Sequence, residues 1–97
     1  MTSETQTRTI EVKITYPSAH HPAEGRFSPE TTVGQIKKFA LDEFHLKEET
    51  VDGNQIVFFL FHDKHKLDNL SEEIGALLKN PHEDDLAFRL AKEVIAG

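Results

Sequence analysis

The chain has 97 residues, of which 37% are hydrophobic and 29% are charged, and this composition predicts a single globular domain with a modest core. Its formal net charge of -6 would repel a phosphate backbone, and the absence of cysteine excludes disulfides, thiolate metal sites and thiol nucleophiles. The N-terminal residues lack the apolar run of a signal peptide, and no segment approaches the length of a membrane span. We therefore expect a cytoplasmic protein that binds neither nucleic acid nor membrane.

The first half of the chain predicts two strands and a helix. Residues 1–8 are polar and are predicted to be flexible, and residues 9–15 then alternate between apolar and polar side chains, as in a strand with one buried face. Residues 17–25 contain two prolines and a glycine and predict a loop, which leads into a short second strand around Phe27. Thr31 or Thr32 is placed to cap a helix with apolar side chains at intervals of three or four residues. These apolar positions are Val33, Ile36, Ala40 and Phe44.

The second half predicts two further strands and a short helix. Residues 47–55 form a polar connection with an Asp-Gly turn signal, and the apolar run from Ile56 to Phe61 predicts a strand. A turn follows, and then a short helix around Ser71 to Leu78 that ends before Pro81. Alternation over residues 86–91 predicts the last strand. The order of elements predicts an α+β domain with a mixed sheet of four to five strands packed on one main helix.

Two stretches of the chain resemble ubiquitin. Residues 28–46 match its second strand and helix in an ungapped register, through Pro29, a threonine cap, Val33, Ile36-Lys37 and the closing His45-Leu46. Residues 62–90 resemble its later part, in which a turn leads to a leucine, an acidic turn, a short helix and an alternating strand. The resemblance covers residues 8–97 and implies a ubiquitin-like β-grasp fold, most like that of prokaryotic, including bacterial, ubiquitin-like proteins.

The sequence departs from ubiquitin at two places. The connection between Leu46 and the third strand is several residues longer, which predicts an earlier start of the strand or a bulging loop. The chain also closes with Val-Ile-Ala-Gly instead of a diglycine. We divide the chain into a flexible segment (1–8), a ubiquitin-like domain (9–93) and a C-terminal tail (94–97).

The tail is the first candidate functional site. In ubiquitin-like modifiers an activating enzyme joins the terminal carboxylate to a nucleotide α-phosphate, and the resemblance implies that Gly97 carries this carboxylate. Glycine suits a narrow enzyme site because it has no Cβ, and Ala96 is the next smallest residue at the position where a second glycine usually stands. Val94 and Ile95 would then pack against an apolar channel or a partner. The alternative is that both residues continue the sheet as an ordinary strand end.

The apolar run at residues 56–61 is the second candidate site. A strand with one open face should alternate, yet this run is apolar on both faces. We expect Ile56, Phe58 and Leu60 to face the helix, which leaves Val57, Phe59 and Phe61 on the opposite face. There they would lie beside residues of the last strand, namely Ala87, Arg89 and Ala91. Such an apolar patch rimmed by charge is typical of a partner-binding site, in the location of ubiquitin's recognition patch. The alternatives are a cover formed by the N-terminal segment, residues 51–55 or the tail, and a register slip that exchanges the two triplets.

No motif of the chain predicts an enzyme. Among six histidines, His62 and His65 are three residues apart, but they fall on a predicted turn, where this spacing does not force both rings to one side. We therefore predict no metal and no cofactor, and the carboxylate runs are expected to be solvated. The chain lacks a phosphate loop, a nucleophile elbow and a dinucleotide motif.

Three functions follow from the resemblance. The first is a monomeric protein modifier, whose partners are activating and conjugating enzymes. The second is a non-covalent interaction module that docks to another protein. The third is a sulfur carrier with a thiocarboxylate at Gly97, which the absent diglycine disfavours.

Overall fold

The computed structural model describes residues 8–80 and 82–96, so most of the predicted flexible segment lies outside the described residues. One α-helix, one 3₁₀ helix and six strands are present in this part of the chain. In chain order they are β1 (Ile10–Thr15), β2 (Ala23–Phe27), α1 (Val33–Glu43), β3 (Glu49–Val51), β4 (Asn54–His62), β5 (His65–Lys66), the 3₁₀ helix (Ile74–Leu77) and β6 (Asp85–Ile95).

The strands form one mixed sheet in the order β2-β1-β6-β4-β3, with β5 paired to β4. β1 is antiparallel to β2 and parallel to β6, while β6 is antiparallel to β4. β4 is also antiparallel to β3 and to β5. The predicted α+β class with a mixed sheet on one main helix is confirmed, and the sheet has one strand more than the predicted range.

The core lies between the sheet and α1. Ile10, Val12 and Ile14 of β1 are fully buried, as their alternation predicts, and Val33 and Ile36 of α1 are buried against them. The aromatic side chain of Tyr16 continues this layer toward the C-terminal end of α1, where its ring centroid lies 5.6 Å from that of Phe44. Burial of this apolar surface supplies the main driving force for folding.

Thr32, rather than Thr31, caps α1. The Thr32 hydroxyl accepts a hydrogen bond from the Gln35 backbone N–H, and the Gln35 side chain accepts one from the Thr32 N–H. This capping box satisfies two of the four N–H groups that a helix leaves unpaired at its start. The helix ends at Glu43, and Phe44 is its C-cap residue.

Two predicted elements are corrected by long-range hydrogen bonding. Residues 23–25, predicted to be loop, begin β2, because Ala23 pairs with Ile14 and overrides the local proline and glycine signals. The predicted helix at residues 71–78 is a four-residue 3₁₀ helix. Its Ile74 and Gly75 backbone N–H groups donate to the carbonyls of Thr31 and Pro29, which fixes it to the segment before α1.

The polar connection before β4 is also corrected, since it contains a β-hairpin. β3 pairs with the start of β4 through a two-residue turn in which Asp52 has a φ of 51° and Gly53 a φ of 81°. Two successive positive φ values define the type I′ turn, for which Asp-Gly is a preferred sequence. The extra residues between Leu46 and the apolar run are therefore an earlier start of β4, preceded by the added strand β3.

Glu48 covers the part of the β4 edge that lies between β3 and β5. Its carboxylate accepts a hydrogen bond from the Phe58 backbone N–H at 2.9 Å and lies 2.8 Å from the Lys37 ammonium of α1. Burial raises the pKa of Glu48, but hydrogen bonds from Lys37 and the Phe58 N–H, together with the Lys37 charge, outweigh it and hold the pKa below its ordinary value. Glu48 thus ties the helix to the sheet edge.

We predict that Glu48→Gln lowers the free energy of unfolding near neutral pH. Because the folded pKa is lowered, the contribution of the carboxylate is complete above the ordinary glutamate pKa of about 4.3 and is lost as the pH falls through the folded value. The deficit of the variant should therefore shrink in acid, as measured by urea unfolding at a series of pH values. Glu49→Gln is the control, since the Glu49 carboxylate forms an ion pair with the exposed Lys47, at 3.8 Å. A deficit that is the same at every pH would contradict the assignment.

Candidate functional site

Three large apolar side chains lie on the outer face of the sheet, opposite α1. β4 alternates along its length, so Phe58 and Leu60 are only 2% and 1% exposed on the helix side. Val57, Phe59 and Phe61 point the other way and are partly buried. The predicted orientation of this strand is confirmed, and the alternative of a slipped register is wrong.

The neighbouring strand completes a continuous surface. Phe59 pairs with Ala91 and Phe61 pairs with Arg89, so these side chains project from the same face. Small alanines beside large aromatic rings leave that face uneven. We call this surface the outer-face patch and define it by the predicted site residues Val57, Phe59, Phe61, Ala87, Arg89 and Ala91.

Three cationic side chains lie over the aromatic rings of the patch, and the most distant is Lys37 of α1, with its Nζ 5.9 Å from the centroid of the Phe59 ring. The Lys66 Nζ is 3.7 Å from the centroid of the Phe59 ring and 3.0 Å from the Glu93 carboxylate. The Arg89 guanidinium carbon is 4.7 Å from the centroid of the Phe61 ring. Cations within about 6 Å of a ring face are attracted by its quadrupole, and their aliphatic stems cover apolar surface. We call the ion pair that crosses Phe59 the Lys66–Glu93 strap.

The strap is a partial cover that differs from the covers predicted from the sequence. Residues 51–55 form the turn and the paired ends of the β3–β4 hairpin, and Val94 and Ile95 belong to β6. Residues 1–7 lie outside the described residues. Among the residues that the structure describes, charged side chains and not a folded segment shield Phe59, and a cover by the N-terminal segment stays a prediction.

An open groove of about 380 Å³ adjoins the patch on the same face. It contains Ala87, whose small side chain lies between Lys13 and Arg89 on neighbouring positions of the sheet. Lys64 contributes a further positive charge, and Asp63, which is 3.0 Å from Lys79, contributes the negative one. Three cations at this groove contrast with the net charge of -6 of the whole chain.

The structure places the first two residues of the predicted tail in the sheet. β6 runs to Ile95, and Val94 and Ile95 pair with Ile56 and Gln55 of β4. Their side chains are nevertheless 58% and 47% exposed. The alternative that these residues continue the strand is thus the arrangement observed. Ala96 follows without regular structure, and Gly97 lies outside the described residues.

His62 and His65 are cross-strand partners at the β4–β5 turn, and this pairing places both side chains on one face, which their spacing alone does not require. The His62 ring packs against Phe88, with ring centroids 5.7 Å apart. Within residues 8–80 and 82–96, no group of three or more metal-binding side chains lies together. No helix in the same part of the chain is long and apolar enough to cross a membrane.

Sequence reasoning did not find Lys66 or Glu93. Each residue has charged neighbours in the sequence, so neither stands out there. The strand register brings them together, because Lys66 pairs with Phe61 on one side of β4 and Glu93 pairs with Val57 on the other. The alternation of β6 beyond residue 91 was the available signal, because a strand that continues would point Glu93 to the same face as Arg89 and Ala91.

Comparisons with known proteins place this geometry in a fold class. No family model and no curated protein matches the sequence. The ubiquitin of Caldiarchaeum subterraneum superposes with a TM-score of 0.65 and 20% identity, covering 92% of this chain and 99% of that chain. A structure described as molecular mimicry of SUMO that promotes DNA repair gives 0.62 and 11% identity, over 90% of this chain and 95% of that chain. An N-terminal ubiquitin-like domain solved in solution gives 0.60 and 14% identity, over 99% and 86%.

The chain therefore has the ubiquitin-like β-grasp fold, as the resemblance implies. The likeness to the Caldiarchaeum protein supports the predicted similarity to prokaryotic ubiquitin-like proteins. At 11% to 20% identity these likenesses establish the fold and not the role of the chain, because one fold hosts many functions.

We predict that Lys66→Ala exposes Phe59 without unfolding the protein. The strap is open to solvent, with side-chain exposures of 34% for Lys66 and 39% for Glu93, so its loss should change the free energy of unfolding by less than about 1 kcal/mol. Retention on a hydrophobic-interaction column should increase, because the lysine stem no longer covers the ring. Lys38→Ala, on the exposed side of α1, removes the same charge away from the patch and should not change retention. Equal retention of both variants would show that the strap covers nothing.

Proposed function

We propose that the chain is a ubiquitin-like protein modifier that protein partners recognise at the outer-face patch and that is joined to them through the carboxylate of Gly97. The observation that carries the proposal is that one strand serves both sites. β6 supplies Ala87, Arg89 and Ala91 to the patch and then runs on to Ile95. A partner that binds the patch therefore fixes the orientation of β6, and with it the direction in which the C-terminal residues leave the sheet.

The patch has the composition of a protein-binding surface. Phe59 and Phe61 supply large, rigid apolar area, and Arg89 supplies a planar cation, which are residue types enriched at binding hot spots. The neighbouring groove adds Lys13 and Lys64. We infer that the favoured partners present an apolar side chain flanked by carboxylates, because these would fill the patch and pair with the cations around it.

The chemistry proposed for Gly97 is acyl activation by a separate enzyme. A carboxylate oxygen attacks the α-phosphorus of ATP, an acyl adenylate forms and pyrophosphate leaves. An enzyme thiolate then attacks the acyl carbon, the C–O bond to phosphate breaks and AMP leaves, which gives a thioester. Attack by a partner's amine releases the thiol and leaves an amide. Ala96 and Gly97 suit this sequence because neither has a side chain larger than a methyl group to obstruct a narrow channel.

We predict that deletion of Gly97 abolishes ATP-dependent conjugation. The protein would be incubated with ATP and an extract of its own organism, and thioester or amide adducts would be followed by intact mass spectrometry. Wild type should form adducts that require ATP, and the deletion variant should form none while keeping the same unfolding transition. Adducts of the deletion variant, or none with wild type, would refute covalent transfer from Gly97.

We predict that Phe59→Asp abolishes binding to a partner captured by the wild-type protein. A buried, unpaired carboxylate at the centre of an interface typically weakens binding by more than tenfold. Leu70→Asp is the matched control, because Leu70 is 46% exposed and lies outside the patch. Titration calorimetry with the purified partner would compare the two variants. Equal weakening by both substitutions would place the binding site elsewhere.

A non-covalent module is the second candidate function. The pairing of Val94 and Ile95 within the sheet favours it, since these residues then have a structural role. The two functions separate in the experiments above: a module loses its partner with Phe59→Asp but is indifferent to the loss of Gly97. A sulfur carrier would instead show an ATP-dependent replacement of one carboxylate oxygen by sulfur in the intact mass.

A further inference from the structure

The residues that precede Gly97 are held in the sheet by one neighbour, β4. Three consecutive pairs join the two strands here: Val57 with Glu93, Ile56 with Val94, and Gln55 with Ile95. The β4 segment that makes these pairs is in turn the second arm of the β3–β4 hairpin, through Glu49–Val51. The hairpin is thus the support on which the end of β6 rests.

This pairing holds the backbone of residues 93–95 against β4, so these residues cannot extend away from the sheet while the pairs persist. Release of residues 93–95 from β4 would free three residues, or about 10 Å of extended chain.

We propose that the β3–β4 hairpin is a clamp that withholds residues 93–95, which precede Ala96 and Gly97, from enzymes until the end of β6 detaches from β4. The proposal rests on the proposed role of Gly97 for its biological purpose. The hairpin residues are positioning residues, because they act on Gly97 through the paired strand and do not contact the reacting atoms.

The end of β6 is weakly held in the sheet. β1 pairs with β6 only as far as Thr15 with Arg89, so beyond that point, among residues 8–80 and 82–96, β6 has a strand on one side alone. The Val94 and Ile95 side chains are largely exposed, and Val51 of the hairpin is 43% exposed. A segment with few buried apolar contacts and one hydrogen-bonded edge has a low local opening free energy. The rest of β6, with Leu86, Phe88 and Leu90 buried in the core, can stay in place while the end opens.

The register predicts which backbone amides the clamp protects. The Asp84 carbonyl accepts a hydrogen bond from the Glu11 N–H, so even-numbered residues of β6 point their backbone groups toward β1 and odd-numbered residues toward β4. The N–H groups of Glu93 and Ile95 therefore face β4, whereas those of Lys92 and Val94 face the open edge. Hydrogen exchange by NMR should show the first pair protected relative to the second. Equal exchange of all four amides would refute the clamp.

A redox-controlled staple tests the clamp directly. Ile56 and Val94 form a pair whose backbone groups point away from each other, and such pairs have Cα atoms about 4.5 Å apart, within the range that a disulfide bridges. The chain has no cysteine, so Ile56→Cys with Val94→Cys gives one defined disulfide. Carboxypeptidase Y should remove Gly97 and Ala96 from both forms, and then stop in the oxidised form but continue through Ile95 to Glu93 in the reduced form. Identical trimming of the two forms would overturn the proposal.

A second variant opens the clamp without altering β6. Gly53 has a φ of 81°, and a Cβ added there would meet no atom within 4 Å, so Gly53→Val strains the turn conformation without a steric clash. The left-handed strain should accelerate trimming past Ile95 by up to roughly 5- to 30-fold. Lys64→Val is the matched control, because Lys64 has a φ of 70° in the turn at the other end of β4. Equal acceleration by both variants would mean general destabilisation and would overturn the clamp.

The outcomes separate the clamp from the function of Gly97. Trimming and exchange depend on the hairpin alone and need no conjugating enzyme. Failure of the proposed function would appear as the absence of ATP-dependent adducts with wild type and with Gly53→Val, while the protection of Glu93 and Ile95 persisted. Failure of the clamp would appear in trimming and exchange, whatever the adducts show.

Discussion

The antiparallel pairing of β4 with β6 is the constraint on which the rest of the molecule depends. It extends over seven consecutive residue pairs, from Gln55 with Ile95 to Phe61 with Arg89. Because side chains of a strand alternate between faces, this one register decides which apolar residues enter the core and which stay outside. A shift by one residue would bury Phe59 and expose Phe58. The core, the outer-face patch and the support of the C-terminal residues therefore share a single structural origin.

The sequence pattern alone predicts the elements that local interactions stabilise or in which apolar and polar residues alternate regularly. The pattern predicts β1 and α1 because apolar periodicity indicates which side chains are buried and a threonine cap marks where a helix begins. The prediction of the two faces of β4 is also correct, since Phe58 and Leu60 are buried and Val57, Phe59 and Phe61 lie on the outer face. The resemblance to ubiquitin then joined these elements into the right topology.

The remaining elements depend on contacts between distant residues. Ala23 and Gly25 carry weak strand propensity, and they form β2 because β1 offers a paired edge. Residues 49–51 looked polar, yet the type I′ turn at Asp52-Gly53 folds them onto β4. The strap over Phe59 needs two residues that are 27 positions apart in the sequence, Lys66 and Glu93, and only the three-strand register brings them together. No local window contains that information.

The open edge of β6 has a consequence for self-association. An exposed strand edge is a template for pairing with another copy, and β6 beyond Arg89 presents such an edge in the part of the chain that the structure describes. Two-fold antiparallel pairing that uses most of this edge would be centred on Lys92 or on Glu93. The first register sets two ammonium groups directly opposite each other, and the second sets two carboxylates opposite, and both arrangements are repulsive. Alternating charge at the middle of the edge thus protects the molecule from joining sheets with itself, while the edge stays available to a strand of different charge.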